Sequence, residues 1–544
     1  MRNAYSVSQV RAAEERLLAL VPDGALMRRA AAGLAVVCGE LLRAGAGRVY
    51  GARVVVLAGT GDNGGDALYA GERLARRGAS VTVVQAGARL HAGGARALVA
   101  AGGRVIAAAP PSGLDATRAD FAAGADGQME AVGRNAKRYD PGHEVRSAVG
   151  RADLIVDGML GIGGKGGLRE PYATLAELAA RARSATTVAV DLPSGIDADT
   201  GAVTGPAVRA DVTVTFGAVK PGLLIDPGAG HAGVVEFVDI GLGPYLEGPP
   251  AASAPQARDI AALLPRPTAE SDKYRRGVVG LLVGSDRYTG AALLATGGAV
   301  RGGAGMVRLV TFPNAAAGVR HVHPEVVITE LERETAGRSG LDMKEGHFPR
   351  DVGRVQAWTA GSGMGTDDAA ARRLAALLGT SLPVLMDADA LTLVARHREL
   401  LPRPAPTLLT PHAGELGRLI GADPADIEAR RLEHAQRAAA MLGACVLLKG
   451  STTVIAPPDG ADPVLVNTTG TPWLATAGTG DVLAGLAGAL LAQGLLPPQA
   501  AIAAAYLHGL AARLAARGSG AGGEAPIGAA DVVTALPSAF RQCG

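Results

Sequence analysis

Residues 53–77 read RVVVLAGTGDNGGDALYAGERLARR, and the order of segments inside this stretch decides the fold class. Arg53–Ala58 is a short, almost unbroken aliphatic run rich in valine, the pattern of a strand buried on both faces. Gly59–Asp66 is a loop of glycines and acids, and the segment from Ala67 to Arg77 places apolar residues at helical spacing. A doubly buried strand that turns through glycine into a helix is the building unit of a parallel sheet.

The same alternation runs outward in both directions. Further strands are expected at Ser80–Gln85, Asp153–Val156, Thr187–Val190, Val212–Phe216 and Val234–Val238, with Ala/Leu/Arg-rich helical segments between them. A second series comprises Val278–Val283, Met306–Val310, Val355–Ala360, Val384–Met386, Thr407–Leu409 and Cys445–Leu448. Between the two lies GLGPYLEGPPAASAPQAR (241–258), which has no periodicity and few contacts to keep, so the boundary falls near residue 250. The fold class is therefore α/β, with two domains at 1–245 and 255–544. The segment 109–150 lacks a pattern and reads as a surface excursion with some helix. Val482–Leu507 carries no charge, but its small residues and Gln493, Pro497, Pro498 and Gln499 make it two buried helices joined at a Pro-Pro turn rather than a membrane span.

Composition narrows the function. A net charge of +2 and 3% aromatic residues supply neither a basic footprint for phosphates nor stacking platforms for bases, so no nucleic-acid partner is expected. Cys38, Cys445 and Cys543 fit no zinc spacing and cannot staple so long a chain, and Met1–Arg16 lacks an apolar signal core. A cytoplasmic protein without a membrane partner is expected.

Gly59, Gly61 and Gly64 formally satisfy the GxGxxG dinucleotide fingerprint, yet the next strand ends at Gln85 rather than at an acid placed for a ribose hydroxyl. Two carboxylates in the loop would also repel a pyrophosphate. Asp62, Asn63 and Asp66 suit hydroxyls, amides or a cation better. Two more strands end in polar groups: Asp157, ahead of the glycine-rich loop Gly161–Gly167, and Asp191 with Ser194 in DLPSGID. Ligands of open α/β sheets bind at the carboxyl ends of strands, where all these residues map. Any one aspartate could instead cap a helix.

GTGDNGGDA, VDGMLGIG, DLPSGIDADTG and FGAVKPGLL, in this order, resemble the NAD(P)HX epimerase family over roughly residues 5–242, and Tyr5–Gly33 with Glu14, Glu15 and Met27 is similar to its opening segment. The resemblance implies a Rossmann-like three-layer αβα sandwich. It implies potassium on Asn63, Asp157 and Ser194, and a hydrated nicotinamide nucleotide against Asp62, Asn63, Gly64, Gly65, Asp66, Gly161, Ile162, Gly163, Gly164, Lys165, Gly166, Gly167 and Asp191. Asp191 is the expected acid/base group and Lys220 a second candidate proton carrier. Asp62 stands where the family usually has Asn.

The second half carries the sharper signal. Ala477-Gly478-Thr479-Gly480-Asp481 opens a long Ala/Leu helix, so backbone N–H groups can close on a phosphate while Asp481 sits in the first turn to accept a hydroxyl proton. Around it stand Gly361–Gly365, Asp387–Leu391, Thr410–Glu415 and Lys449–Thr453. No P-loop lysine motif accompanies them. The set resembles the ribokinase-like superfamily, and within it the ADP-dependent NAD(P)HX dehydratases, across roughly residues 257–540. By that resemblance Lys449, Gly450, Ser451, Thr452, Thr453 and Gly480 would hold ADP, and Ala292, Gly363, His412 and Asp481 the hydrated nicotinamide. Taken alone, His412 reads as a helix-start residue.

The expected protein is a bifunctional repair enzyme that epimerises R- and S-NADHX and NADPHX, then dehydrates the S form at the expense of ADP, with K⁺ in the first domain, Mg²⁺ in the second, and a homo-oligomeric assembly. Two rivals stand beside it. One is a ribokinase-like vitamin or sugar kinase with an amino-terminal nucleotide-binding module, and the other a non-enzymatic interaction domain in the first half.

Overall fold

The computed structural model describes residues 1–108, 140–332, 352–460, 462–518 and 523–544. Most of the expected excursion, 109–139, lies outside the described residues, and its end forms the helix Gly142–Gly150.

Strands are numbered along the chain, starting with a short β1 (Arg2–Ala4). The amino-terminal unit comprises Tyr5–Leu223 and Pro227–Glu247. Its strands are β2 (Arg53–Ala58), β3 (Ser80–Gln85), β4 (Arg104–Ala107), β5 (Leu154–Gly158), β6 (Thr186–Val190), β7 (Val212–Phe216) and β8 (Val234–Val238). They form one sheet in the order β4-β3-β2-β5-β6-β7-β8, every pair parallel. Successive residues of β2 enter different cores: Val54, Val56 and Ala58 one, Val55 and Leu57 the other. That is the two-sided burial its unbroken aliphatic run requires. Order reverses between β2 and β5, so a crevice opens beyond their carboxyl ends, where helices leave toward opposite faces.

The carboxyl-terminal unit takes in Gly248–Gly544 together with Met1–Ala4 and Leu224–Asp226. Its further strands are β9 (Ala252–Ala254), β10 (Val278–Leu282), β11 (Met306–Thr311), β12 (Val327–Glu330), β13 (Ala357–Ala360), β14 (Val384–Met386), β15 (Thr407–Leu409), β16 (Cys445–Leu448), β17 (Thr453–Ala456) and β18 (Val464–Asn467). The sheet order is β1-β9-β18-β17-β16-β15-β14-β13-β10-β11-β12. From β16 to β12 the strands are parallel, while β17 runs antiparallel to both its neighbours. The reversal of order falls between β10 and β13. The division at Glu247/Gly248 lies within the expected linker, but the first four residues belong to the second unit, because β1 pairs antiparallel with β9. Three residues of strand carry no periodicity that a sequence reading could use.

The uncharged stretch forms two buried helices, Thr479–Ala492 and Pro497–Arg517, with Pro497 at the first helical position, where its missing N–H costs nothing. Among the described residues no helix is long and apolar enough to cross a membrane.

Candidate active sites

In the amino-terminal unit the glycine-rich loop is shorter than the sequence implies. The helix starts at Asp62, not Ala67, with Gly61 as its N-cap, so Asp62–Asp66 form its first turns. The glycines make this possible by close approach. A Cβ on Gly59 would lie 1.9 Å from the Met159 carbonyl oxygen, and one on Gly64 2.5 Å from that of Gly59. Strands β2 and β5 thereby bring their following loops together at the reversal of sheet order.

A cavity of about 590 Å³ opens there. Of the expected residues, Asp62, Asn63, Asp66, Gly161, Ile162, Gly163, Gly164 and Asp191 line it; Gly64, Gly65, Lys165, Gly166 and Gly167 do not. Gly64 and Gly65 are buried helix-packing positions, and Gly167 packs against Gly205. The far wall comes from the first two helices through Arg11, Glu14 and Met27, with Phe216 and Ile240 closing it. No spacing rule in the sequence links Arg11 to Asp191; only the resemblance over Tyr5–Gly33 touched that wall.

Asp191 follows β6 with a φ of 65°, an unusual backbone region for a residue with a side chain. It is held there by its N–H, which donates to the Val214 carbonyl. Its Oδ1 accepts from the Lys220 ammonium, from the Phe216 N–H at 3.1 Å and from the Thr215 hydroxyl at 3.2 Å. Lys220 is 1% exposed and also donates to Thr215 and the Phe216 carbonyl, so both expected proton carriers form one buried pair.

Of the three residues expected to hold potassium, Asn63 and Ser194 meet at Leu160, and Asp157 is tied to Ser194. Asn63 Nδ2 donates to the carbonyls of Leu160 (3.0 Å) and Val190 (2.8 Å). The Ser194 hydroxyl donates to Asp157 Oδ1 (2.7 Å) and accepts from the Leu160 N–H (2.9 Å). Burial pushes the Asp157 carboxyl up to about 6, opposed by its bonds from Ser194 and Met159. An amide facing two carbonyls, a hydroxyl and one buried carboxylate form an oxygen-rich set of low charge. Turned about its χ2, Asn63 would present Oδ1 to a point already faced by oxygens, so the set fits a monovalent cation.

In the carboxyl-terminal unit, five parallel strands end on one edge, and the ladder continues past each end. Gly284 donates to Ser362, Asp387 to Ala360, Thr410 to Met386 and Lys449 to Pro411. Lys449 Nζ bonds Asp387 Oδ1 at 2.7 Å and lies 3.6 Å from Glu415 Oε2. Burial would lower this ammonium's pKa, but the carboxylates of Asp387 and Glu415 outweigh it and hold it above the usual lysine value. The Thr410 hydroxyl also donates to Asp387, at 2.9 Å. Gly480 faces this pair: a Cβ there would stand 3.7 Å from Lys449 Nζ and 3.9 Å from Asp387 Oδ2. Asp481 occupies the first turn beside it. Burial raises its carboxyl to about 6, against the Ser362 hydroxyl and Lys449, with Asp387 and Asp389 adding to the rise.

Gly363, after β13, and Ala292, in the helix after β10, both follow the strands that flank the reversal of sheet order. Gly363 has a φ of 63° and would clash with Tyr288 if it bore a Cβ, whereas Ala292 is wholly buried beneath Gly284. His412 is the N-cap of the helix Ala413–Ile420; its Nδ1 accepts from the Gly414 N–H at 3.0 Å and its Nε2 lies 3.6 Å from Glu415. Of Lys449–Thr453, Lys449 joins the aspartates, Ser451 is exposed, and Thr453 already belongs to β17.

Two family models match the chain: "YjeF-related protein N-terminus" over residues 23–222 and "NAD(P)H-hydrate dehydratase" over 279–533. A bifunctional NAD(P)H-hydrate repair enzyme from Mycobacterium tuberculosis is 44% identical over 503 residues, covering 92% of this chain and 91% of the relative. The enzyme of the same name from Mycobacterium leprae is 42% identical over 99% of each chain. The chain belongs to this family. Members reach beyond the mycobacteria, as with the Moorella thermoacetica enzyme at 35% identity over 96% of this chain and 93% of its own. Among solved structures, an ADP/ATP-dependent NAD(P)H-hydrate dehydratase from Bacillus subtilis, co-crystallised with ATP/Mg²⁺, is 31% identical at a TM-score of 0.46. It covers 53% of this chain and 98% of its own.

Proposed function

We propose that this chain repairs hydrated nicotinamide nucleotides in two steps, epimerising R- and S-NAD(P)HX in its amino-terminal unit and dehydrating the S form in its carboxyl-terminal unit at the expense of ADP. The observation that carries the reading is that one chain builds two strand-end sites, each around its own aspartate–lysine pair, Asp191 with Lys220 and Asp387 with Lys449. A single kinase accounts for the second pair and leaves the first unused.

In the first site the Asp191 carboxylate is fixed on the cavity wall by three donors, where a substrate hydroxyl or water can reach it. Asn63, Asp157 and Ser194 would hold potassium. A bound potassium ion supplies positive charge that fixes the two loops and favours an anionic ligand in an otherwise acidic cavity.

Hydration of a dihydropyridine places the hydroxyl on the carbon beside the ring nitrogen, because that carbon is the electrophilic end of the protonated enamine. Hydroxide is a poor leaving group and phosphate a good one. In the second site Asp481 takes the hydroxyl proton as the hydroxyl oxygen bonds the β-phosphorus of ADP and the bond to AMP breaks. Backbone N–H groups at Gly478–Gly480 and the Lys449 ammonium face the developing charge. The ring nitrogen's lone pair then expels phosphate, and loss of a proton from the adjacent carbon restores the double bond. Among the described residues no cluster of three His, Cys, Asp or Glu stands ready for a metal. Magnesium would arrive on the nucleotide's phosphates, where it screens their charge. A reducing cytoplasm suits the three free, buried cysteines.

Incubation with mixed R/S-NADHX and ADP tests the reading. The expected outcome is complete recovery of NADH absorbance with one AMP and one phosphate per NADH. A stable phosphorylated product would move the chain to the kinases.

A further inference from the structure

Asp66 lines the amino-terminal cavity from the helix Asp62–Arg76, and its Oδ1 is buried without a hydrogen-bond partner. Its environment is the opposite of that of Asp191. Three donors converge on Asp191, whereas around Asp66 the charged neighbours are the carboxylates of Asp191, Asp62 and Glu14. Two cations line or border the same cavity. Lys220 is committed to Asp191, Thr215 and the Phe216 carbonyl, and Arg11 lies on the wall with Glu14. A carboxylate whose Oδ1 is buried without a donor, with three other carboxylates around it, is unstable as an anion; as a carboxylic acid it becomes a donor.

We propose that Asp66 is the general acid of the epimerase site, protonating the departing ring hydroxyl while Asp191 deprotonates the water that adds to the opposite face. This rests on the repair reading of the amino-terminal unit. The step balances as follows. The ring nitrogen's lone pair forms a C=N bond as the C–O bond breaks, and the leaving oxygen takes the Asp66 proton and departs as water. A water oxygen then bonds the same carbon from the other side, its proton passes to Asp191, and the C=N electron pair returns to nitrogen. One turnover leaves the proton on Asp191 and the anion on Asp66, which is the correct starting state for the reverse epimerisation; exchange with solvent resets it. One carboxyl held by three donors and one whose Oδ1 has none are the arrangement that assigns base and acid here. Burial, with Asp191, Asp62 and Glu14 adding, holds the Asp66 carboxyl well above the usual carboxylate range. Its helix's amino terminus favours the anion but does not outweigh them.

Two measurements on the full chain test the proposal. Infrared difference spectra of wild type against Asp66→Asn at neutral pH are expected to show a protonated-carboxyl band that the variant lacks. Asp66→Asn is also expected to lower the epimerisation rate at least about 100-fold with KM little changed, and to remove the alkaline limb of the pH–rate profile. Glu14→Gln removes a neighbouring negative charge, so that limb should move to lower pH. An ionised Asp66 in wild type, or Asp66→Asn retaining the alkaline limb and a rate within a few-fold of wild type, overturns the assignment. A wild type that fails to interconvert the epimers overturns the repair reading instead, and the infrared band still decides whether Asp66 is an acid.

Discussion

Asp481 and Asp191, the two proposed bases, stand in different surroundings. Asp191 is tied to Lys220, a partner whose own side chain is wholly buried, so its geometry is fixed before substrate arrives. Asp481 has no such tie, and burial lifts its carboxyl to about 6. A base acts only when ionised, and lowering pH through about 6 protonates it. Dehydration should therefore be flat above pH 7 and fall about tenfold per unit well below 6, measured as kcat at saturating ADP. Removing the carboxylate in Asp481→Asn should cost about 10²–10⁴-fold at neutral pH and leave little further pH dependence on the acid side. Asp191 was legible as a strand-end residue and Asp481 as a first-turn residue of a helix-start motif. The pairing of Lys449 with Asp387 was not, because it depends on the parallel order of β14, β15 and β16, and Arg11 meets the epimerase cavity only through the packing of the first helices. For His412 both readings of the sequence concern the same atom set: its Nδ1 caps a helix, which leaves Nε2 as the group able to meet a ligand.

Among the elements, the helices Thr289–Arg301 and Thr479–Ala492 are packed backbone to backbone. A Cβ on Gly485 would lie 1.9 Å from the Ala295 carbonyl oxygen, and one on Gly298 2.3 Å from that of Val482. The small residues that made this stretch poor as a membrane span are what permits the approach, and the approach sets where Asp481 sits relative to Ala292. Gly485→Ala should destabilise the carboxyl-terminal unit by about 1–3 kcal/mol, read from urea unfolding, and depress dehydration without slowing epimerisation. The doubly buried strands could be placed to within a residue or two because valine and leucine runs have one use in such a fold. The elements that escaped were β1, β4, β9, β12, β17 and β18, short strands of three or four residues, several of them at sheet edges. The helix starting at Asp62 escaped for a different reason. The two glycines of its first turns oppose helix by propensity; at Gly64 the Gly59 backbone leaves no room for a Cβ, and at Gly65 a Cβ would meet the end of Met27.

For the whole molecule, the division into two units follows from separate hydrophobic cores, one cluster on each face of the first sheet and another in the second unit, and from two reversals of strand order, each opening its own crevice. Periodicity is lost over 241–258, where the division falls, whereas the place of Met1–Ala4 in the second unit depends on one antiparallel pairing with β9 that leaves no such mark. If the two sites are chemically independent, they need not be intact in the same molecule. The decisive measurement supplies pure R-NADHX and ADP to Asp191→Ala, to Asp481→Ala and to an equimolar mixture of the two, following NADH formation against the uncatalysed rate. Neither variant alone should exceed that rate for R-NADHX, and the mixture should recover NADH from all of it. NADH formation from R-NADHX at the wild-type rate by either single variant, or no recovery by the mixture, would contradict the assignment of the two reactions to two sites.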